Sequence, residues 1–270
     1  MMGWLRIGVA LSVLALTSIL LTPVQWAILK TGRFNPAFLP RLWHRIAVRV
    51  FGLRINVTGE ISLHRPLLLA ANHISWTDIM VLGSLGEVAY IAKSDVAGWP
   101  IFGTFARMQR TIFVERHRRG KSSDQAVEVA DRLAGDDIIV LFAEGSTGDG
   151  NHILPFKSTL FGAARMVAGA DEAKTVLIQP VAIAYTRLQG MPMGRQHRGV
   201  ASWVGDAELV PHLVSLLRER AIDVDVAFGP VIEFTAGSDR KHVTRQAESA
   251  VRAMLQDALR HRQRAVQKPR

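Results

Sequence analysis

Apolar and polar positions along this 270-residue chain fall into three regimes. The first is continuous. From Ile7 to Leu29 there are 23 residues without a charge, bounded by Arg6 and Lys30. At 1.5 Å per residue such a run makes about 34 Å of helix, enough for a hydrocarbon core of ~30 Å. Pro23 interrupts the run and predicts a kink or an end there. A secretory signal peptide is the main rival, but no A-x-A cleavage pattern follows. An ordinary buried helix is the other alternative.

The second regime is periodic. Phe38-Leu39, Leu42-Trp43, Ile46-Ala47 and Val50-Phe51 recur at helical spacing and predict an amphipathic helix. Arg33, Arg41, Arg45, Arg49, Arg54 and Arg65 surround it, against Glu60 alone. A basic face of this kind suits an anionic leaflet, and equally suits the solvated side of a core helix. By the positive-inside rule the arginine excess puts the following domain in the cytoplasm, on the inner face of the cytoplasmic membrane.

The third regime alternates short apolar runs with helical patterns. Strands are predicted at Leu67–Ala71, Glu87–Ala92, Thr111–Val114, Ile138–Phe142, Val176–Ala184 and Val224–Val226. Helices are predicted at Asp78–Leu85, Asp124–Leu133, Thr159–Val167 and Val243–Arg260. This is the pattern of an α/β fold, a sheet covered by helices on both faces. Residues 1–55 read as a membrane-anchoring segment and residues 56–270 as the α/β domain. The stretch 252–270 reads as a frayed basic helix.

Composition narrows the function classes. Lys and Arg number 33 against 23 Asp and Glu, a net charge of +10. Hydrophobic residues make up 49%, which excludes intrinsic disorder. The chain has no cysteine, which excludes disulfides, thiolate zinc sites, iron–sulfur clusters and a Cys nucleophile. A basic, apolar chain expects an anionic partner, and the N-terminus selects a membrane over nucleic acid. No nucleic-acid motif is present, though a membrane-anchored nucleic-acid or lipid binder without catalysis remains the alternative.

Two strand ends carry candidate chemistry. The apolar run LLLAA leads into Asn72-His73-Ile74-Ser75-Trp76-Thr77-Asp78. His73 falls at a strand-to-helix turn, where a carboxylate five residues on can orient an imidazole base. Asp78 or Ser75 serving only the helix N-terminus explains the same letters. The run IIVLF leads into Ala143-Glu144-Gly145-Ser146-Thr147-Gly148-Asp149-Gly150, a Gly-rich turn without the lysine of a P-loop. Beside them, Arg110, Arg116, Arg118, Arg119 and Lys121 form a basic run fit for phosphate or carboxylate, or for solvent.

Taken together these blocks resemble the glycerolipid acyltransferases of the lysophosphatidate acyltransferase type. N-H-x4-D is matched by Asn72, His73 and Asp78; F-[IV]-[DE]-R by Phe113, Val114, Glu115 and Arg116. F-P-E-G-T-R followed by L-P-F-K is matched by Phe142 to Thr147, then Leu154 to Lys157. An apolar strand with a central proline is matched by Ile178 to Ala182. The resemblance implies a mixed sheet flanked by helices, of the glycerol-phosphate acyltransferase kind, with a membrane-associated N-terminus. It implies His73 as general base, oriented by Asp78, moving an acyl group from acyl carrier protein or coenzyme A to a lysolipid hydroxyl. Asn72, Arg116, Glu144, Gly145, Ser146, Thr147 and Lys157 would hold the acceptor, turn amides beside the first block would face the oxyanion, and no metal or other cofactor is implied. Two positions depart from the family pattern: Ala143 replaces its proline and Thr147 its phosphate-binding arginine. Gly148-Asp149-Gly150-Asn151 and the stretch from Gly205 to His212 are similar to a branch that acylates lyso-ornithine lipid, a phosphate-free amino-acid lipid. In that branch Asp149 would pair with the head's amino group, while Lys157 or Arg110 could stand in for the missing arginine on a phosphate.

Overall fold

The structure is a computed structural model and describes residues 2–114, 122–135, 137–170, 174–205, 207–219 and 221–264. Glu115, Arg116, the rest of the basic run to Lys121, Asp206 and the end of the basic tail lie outside these residues. Nine strands form one mixed sheet. They are β1 (Leu53–Thr58), β2 (Leu67–Ala71), β3 (Val88–Lys93), β4 (Ile112–Val114), β5 (Ile138–Phe142), β6 (Val176–Leu188), β7 (Met191–Pro192), β8 (Ile222–Phe228) and β9 (Ile232–Phe234). The order is β1-β8-β6-β2-β5-β3-β4, with β7 and β9 added on β6. Strand β2 runs parallel to both neighbours, β5 and β6, while β6 meets β7, β8 and β9 antiparallel.

A strand with a partner on each side and helices over each face must be apolar throughout. That is what LLLAA and IIVLF supply, and every residue of β2 and β5 is buried. Side chains alternate between faces. Leu67, Leu69 and Ala71 meet α1 (Met2–Thr31), α2 (Phe38–Phe51), α3 (Thr77–Leu85) and α7 (Leu209–Arg218) in one core layer. Leu68 and Ala70 meet α5 (Ser122–Ala134), α6 (Gly162–Ala170) and α8 (Arg240–Arg264) in the other. Helix α8 turns Val243, Ala247, Val251 and Leu255 inward, one residue per turn. Pro180 is tolerated mid-sheet because it falls between the stretches of β6 that pair with β9 and with β8.

Several expectations need correction. The N-terminal helix neither ends nor is broken at Pro23; α1 runs unbroken to Thr31. Two residues after the proline, Gln25 donates to the carbonyls of Pro36 (2.7 Å) and Met108 (2.8 Å), which holds the continuing helix. The apolar side of α2 faces the core through Ala47, Val48 and Phe51. Two of its arginines serve the protein: Arg41 and Arg45 donate to the carbonyls of Leu85 and Ser84 at the end of α3. Basic groups there satisfy orphan carbonyls and oppose the helix dipole. Strand β1 begins at Leu53, so it crosses residue 55. Strands β1, β7 and β9 and helices α4 (Phe102–Met108) and α7 were not anticipated; each is short or lies at an edge.

Helices α2 and α3 touch through a gap only glycine leaves. A Cβ on Gly83 would lie 2.4 Å from Cδ2 of the His44 ring. Burial lowers the His44 pKa to about 4, so the ring is neutral where it packs. Gly83→Ala is therefore expected to lower stability by about 1–3 kcal/mol through overpacking. Adding His44→Ala should recover part of that loss, and thermal melts of the detergent-solubilised chain check both.

Candidate active site

The register of the central strands builds the site. Ala71 of β2 stands beside Phe142 of β5 and Val181 of β6. The next residues of β2 and β5 therefore leave the sheet together, at its carboxyl edge. That edge is where open α/β sheets place their ligands. Asn72 continues the pairing with its side chain: Nδ2 donates to the Ile183 carbonyl and Oδ1 accepts the Ile183 amide. Asn72 is buried, so its amide clamps β2 to β6 and does not reach an acceptor.

His73 and Asp78 meet. The Nδ1 of His73 lies 2.8 Å from Oδ2 of Asp78. The same oxygen accepts the amides of Ile74 (2.6 Å) and Ser75 (2.9 Å), and Oδ1 accepts the Tyr185 hydroxyl at 2.7 Å. Asp78 has no exposed side-chain surface, whereas the His73 side chain is 17% exposed. A carboxylate can only accept, so Nδ1 carries the hydrogen and the lone pair is left on Nε2. Burial and the Asp78 charge push the Tyr185 phenol well above its ordinary range, which keeps it a donor. Thr77 shares a hydrogen bond with the same phenol. The imidazole stacks on Phe142 with centroids 3.9 Å apart and planes 14° from parallel. One ring face is thereby covered and one nitrogen fixed.

Glu144 works from the neighbouring strand end. It is buried; Oε1 accepts the His73 amide (3.0 Å) and Oε2 the Leu154 amide (3.1 Å). The His73 carbonyl accepts the Gly148 amide at 2.7 Å, which closes the two loops on each other. Burial raises the Glu144 pKa to about 7, while the two amides and Arg252 pull the other way. Gly145 takes the left-handed conformation, φ 75°, that lets the chain turn back under Glu144.

The remaining expected residues are spread about this centre. Ser146 and Lys157 are exposed and Thr147 is half-buried. Lys157 is tied by its backbone amide to the Ala143 carbonyl, 2.9 Å. Arg116 lies outside the described residues. Arg110 is held by Asp137 at 2.9 Å. The amides of residues 73 to 75 are occupied by Glu144 and Asp78. Tyr185 was not anticipated. It is 107 residues from Asp78, and its one signal is its place late in the proline-centred strand.

Glu144 gives the site a pH signature. Its folded-state pKa is raised from 4.5 to about 7, so the folded chain holds that proton more tightly than the unfolded one. Its contribution to stability falls as pH rises across that window and is level above it. Against Glu144→Gln, which does not titrate, wild type is expected to lose on the order of 1–3 kcal/mol between pH 4.5 and 7. Melting midpoints of both proteins across pH 4–8 test this; parallel curves would refute it.

Comparison with known proteins places this geometry. A family model described as Acyltransferase matches residues 54–184, from β1 to β6. The chain is 51% identical over 259 residues to a lyso-ornithine lipid O-acyltransferase of Brucella abortus (strain 2308), covering 96% of this chain and 97% of that one. It is 46% identical over 272 residues to a lyso-ornithine lipid O-acyltransferase of Rhizobium meliloti (strain 1021), covering 99% and 92%. Among solved structures it resembles the 1-acyl-sn-glycerophosphate (LPA) acyltransferase PlsC of Thermotoga maritima. The TM-score is 0.56 at 16% identity, over 90% of this chain and 97% of that one, a likeness of fold. With its strand-end blocks gathered at one sheet edge and relatives matched along nearly its whole length, the chain belongs to the acyltransferase family.

Proposed function

We propose that this enzyme acylates the free hydroxyl of lyso-ornithine lipid in membrane lipid synthesis, using an acyl thioester of acyl carrier protein or coenzyme A. The observation that carries the chemistry is the imidazole of His73, held by Asp78 through one nitrogen and open at the other. Nε2 takes the proton of the acceptor hydroxyl, and the oxygen attacks the thioester carbonyl. The tetrahedral adduct collapses, the carbon–sulfur bond breaks, and the imidazolium returns its proton to the leaving thiolate. Positioning of the two substrates supplies much of the rate. Acceptor choice is supported by the names of the relatives and by Thr147, which offers no guanidinium to a phosphate.

Membranes carrying the chain should convert lyso-ornithine lipid with a labelled acyl thioester and leave lysophosphatidate largely unreacted. His73→Ala should lower the rate about 10²–10⁴-fold, the usual worth of a positioned base. Undiminished turnover by His73→Ala, or product from lysophosphatidate alone, would overturn this assignment.

We infer also that α1 associates with a membrane while lying along one side of the domain. The helix is long and apolar enough to cross a bilayer, and only 11% of its apolar window is buried. A monomer in water does not leave so long an apolar face uncovered. Both ends, however, are fastened to the domain. Arg6 donates to the Glu219 carbonyl beyond α7, and Arg218 lies over the Trp4 ring at 4.6 Å. Farther along, Ser18 accepts from Trp43 of α2, and Gln25 holds the end of α4. A helix held at both ends to one domain keeps both ends on that domain's side. The chain lacks cysteine, so a single Leu5→Cys reports the N-terminal end without background. An impermeant thiol reagent should label it only in vesicles whose cytoplasmic face is outward. Labelling from the opposite face would show a crossing helix.

A further inference from the structure

Beside the catalytic pair lies a cationic hollow that the reaction described above does not use. The segment following β7 folds back over the loop that leaves β5. It is fastened there by Trp203, whose amide donates to the Ile74 carbonyl at 2.9 Å, and by Arg198, which donates to the Asn151 side chain. Between this segment, the loop and α8 is a hollow of about 330 Å³ lined by Asn151, His152, Arg195, Arg198 and Arg260. That size fits a small polar group.

Its charge is not balanced from within. Arg198 is 5% exposed, and its Nε is buried without a hydrogen-bond partner. Burial and the neighbouring Arg195 both disfavour its charged form. Arg195 has no ion-pair partner among the described residues. The buried guanidinium of Arg198, with a second cation beside it, has no ion-pair partner among the described residues to offset its desolvation. Two residues before Asn151 stands a carboxylate, Asp149, with 53% of its side chain exposed. It is kept ionised by the Asn151 and His152 amides that cap its turn, and it stands within electrostatic reach of Arg198. The hollow thus has one buried and one exposed guanidinium group on its walls, with a wet anion close by.

Its position relative to His73 is set by the loop. Gly148 donates to the His73 carbonyl, and a Cβ on Gly150 would lie 3.3 Å from Cγ2 of Ile74. Asn151 comes three residues after Gly148, so at most about 11 Å of chain separates them. A lysolipid carries its head within a few bonds of its free hydroxyl, so both fit in this space. Ornithine joined through one amine keeps one carboxylate and one ammonium group.

Resting on the acceptor assigned above, we propose that this hollow is the head-group site: Arg198 and Arg195 take the ornithine carboxylate, and Asp149 takes the ammonium. The guanidinium groups here replace, from a different element, the one absent at Thr147.

The test is steady-state kinetics of the full chain in mixed micelles, with lyso-ornithine lipid and with its carboxyl methyl ester. Arg195→Gln and Arg198→Gln should each raise the acceptor KM about ten- to a hundredfold, the range of a hydrogen bond to a charged group. They should leave kcat and the donor KM nearly unchanged. Asp149→Asn keeps the turn and should also raise the acceptor KM. Wild type should lose the same factor on the methyl ester, and Arg195→Gln should lose little more there, because both changes remove one interaction. Arg195 is exposed and unpaired, so its variant stays informative if Arg198→Gln folds poorly. Unchanged acceptor KM in Arg195→Gln and Asp149→Asn would overturn the head-group site while wild-type turnover upholds the acceptor. A rise in donor KM instead would assign the hollow to the donor's phosphate and overturn it too. No wild-type turnover of lyso-ornithine lipid would overturn the acceptor assignment, and the head-group site with it.

Discussion

A carboxylate with no exposed surface governs the arrangement of this molecule. Asp78 sits in the first turn of α3, where the helix dipole favours a negative charge. That alone does not offset the cost of burying it, which is several kcal/mol for an unpaired ion. The remainder comes from four hydrogen bonds, to two turn amides, one imidazole and one phenol. Each donor belongs to a different demand on the chain. The amides fix the turn after β2, the phenol fixes the far half of β6, and the imidazole is the group proposed above as the base. Satisfying one buried ion therefore aligns β2, α3 and β6 at a common point.

The second buried carboxylate is satisfied differently and has a different consequence. Glu144 is bonded to two backbone amides and, among the described residues, to no side-chain donor. Its proton is thus held by burial against the amides, near neutrality, and the Asp78 charge adds to that hold. His73 lies between the two, with its ring on Asp78 and its amide on Glu144. The orientation of the imidazole and the closure of the Gly-rich loop are linked through one residue.

What could be read from the letters follows the range of each interaction. LLLAA and IIVLF announce buried strands because parallel neighbours on both sides demand unbroken apolar runs. His73 and Asp78 were legible because the contact closes over five residues and one turn. Tyr185, the Phe142 stack and Arg198 were not, because they join elements distant in sequence and carry no local period. Asn72 shows the opposite error. A polar letter beside a catalytic one reads as a binding group until its burial and its double bond to Ile183 are seen. Arg41 and Arg45 are similar, since a basic face on a helical wheel does not reveal a neighbouring helix end that needs donors. Of the kink or end that Pro23 predicts, the end does not occur: the helix continues and is anchored two residues on by Gln25.

The fastening of α1 at both ends also limits how the whole body can move. An apolar rod hinged at one point would let its domain tilt and swing beneath a bilayer. A rod bound at Arg6 and again at Gln25 cannot, because two attachments define a line and the domain is rigid about it. With α1 in a bilayer as proposed above, tilting would lift one end of the rod out of the apolar phase, which would leave the body turning about the membrane normal and rolling about the rod. The height of the carboxyl edge of the sheet, and of the imidazole on it, would then change only with that roll. Encounter with a lipid would become a search in two dimensions.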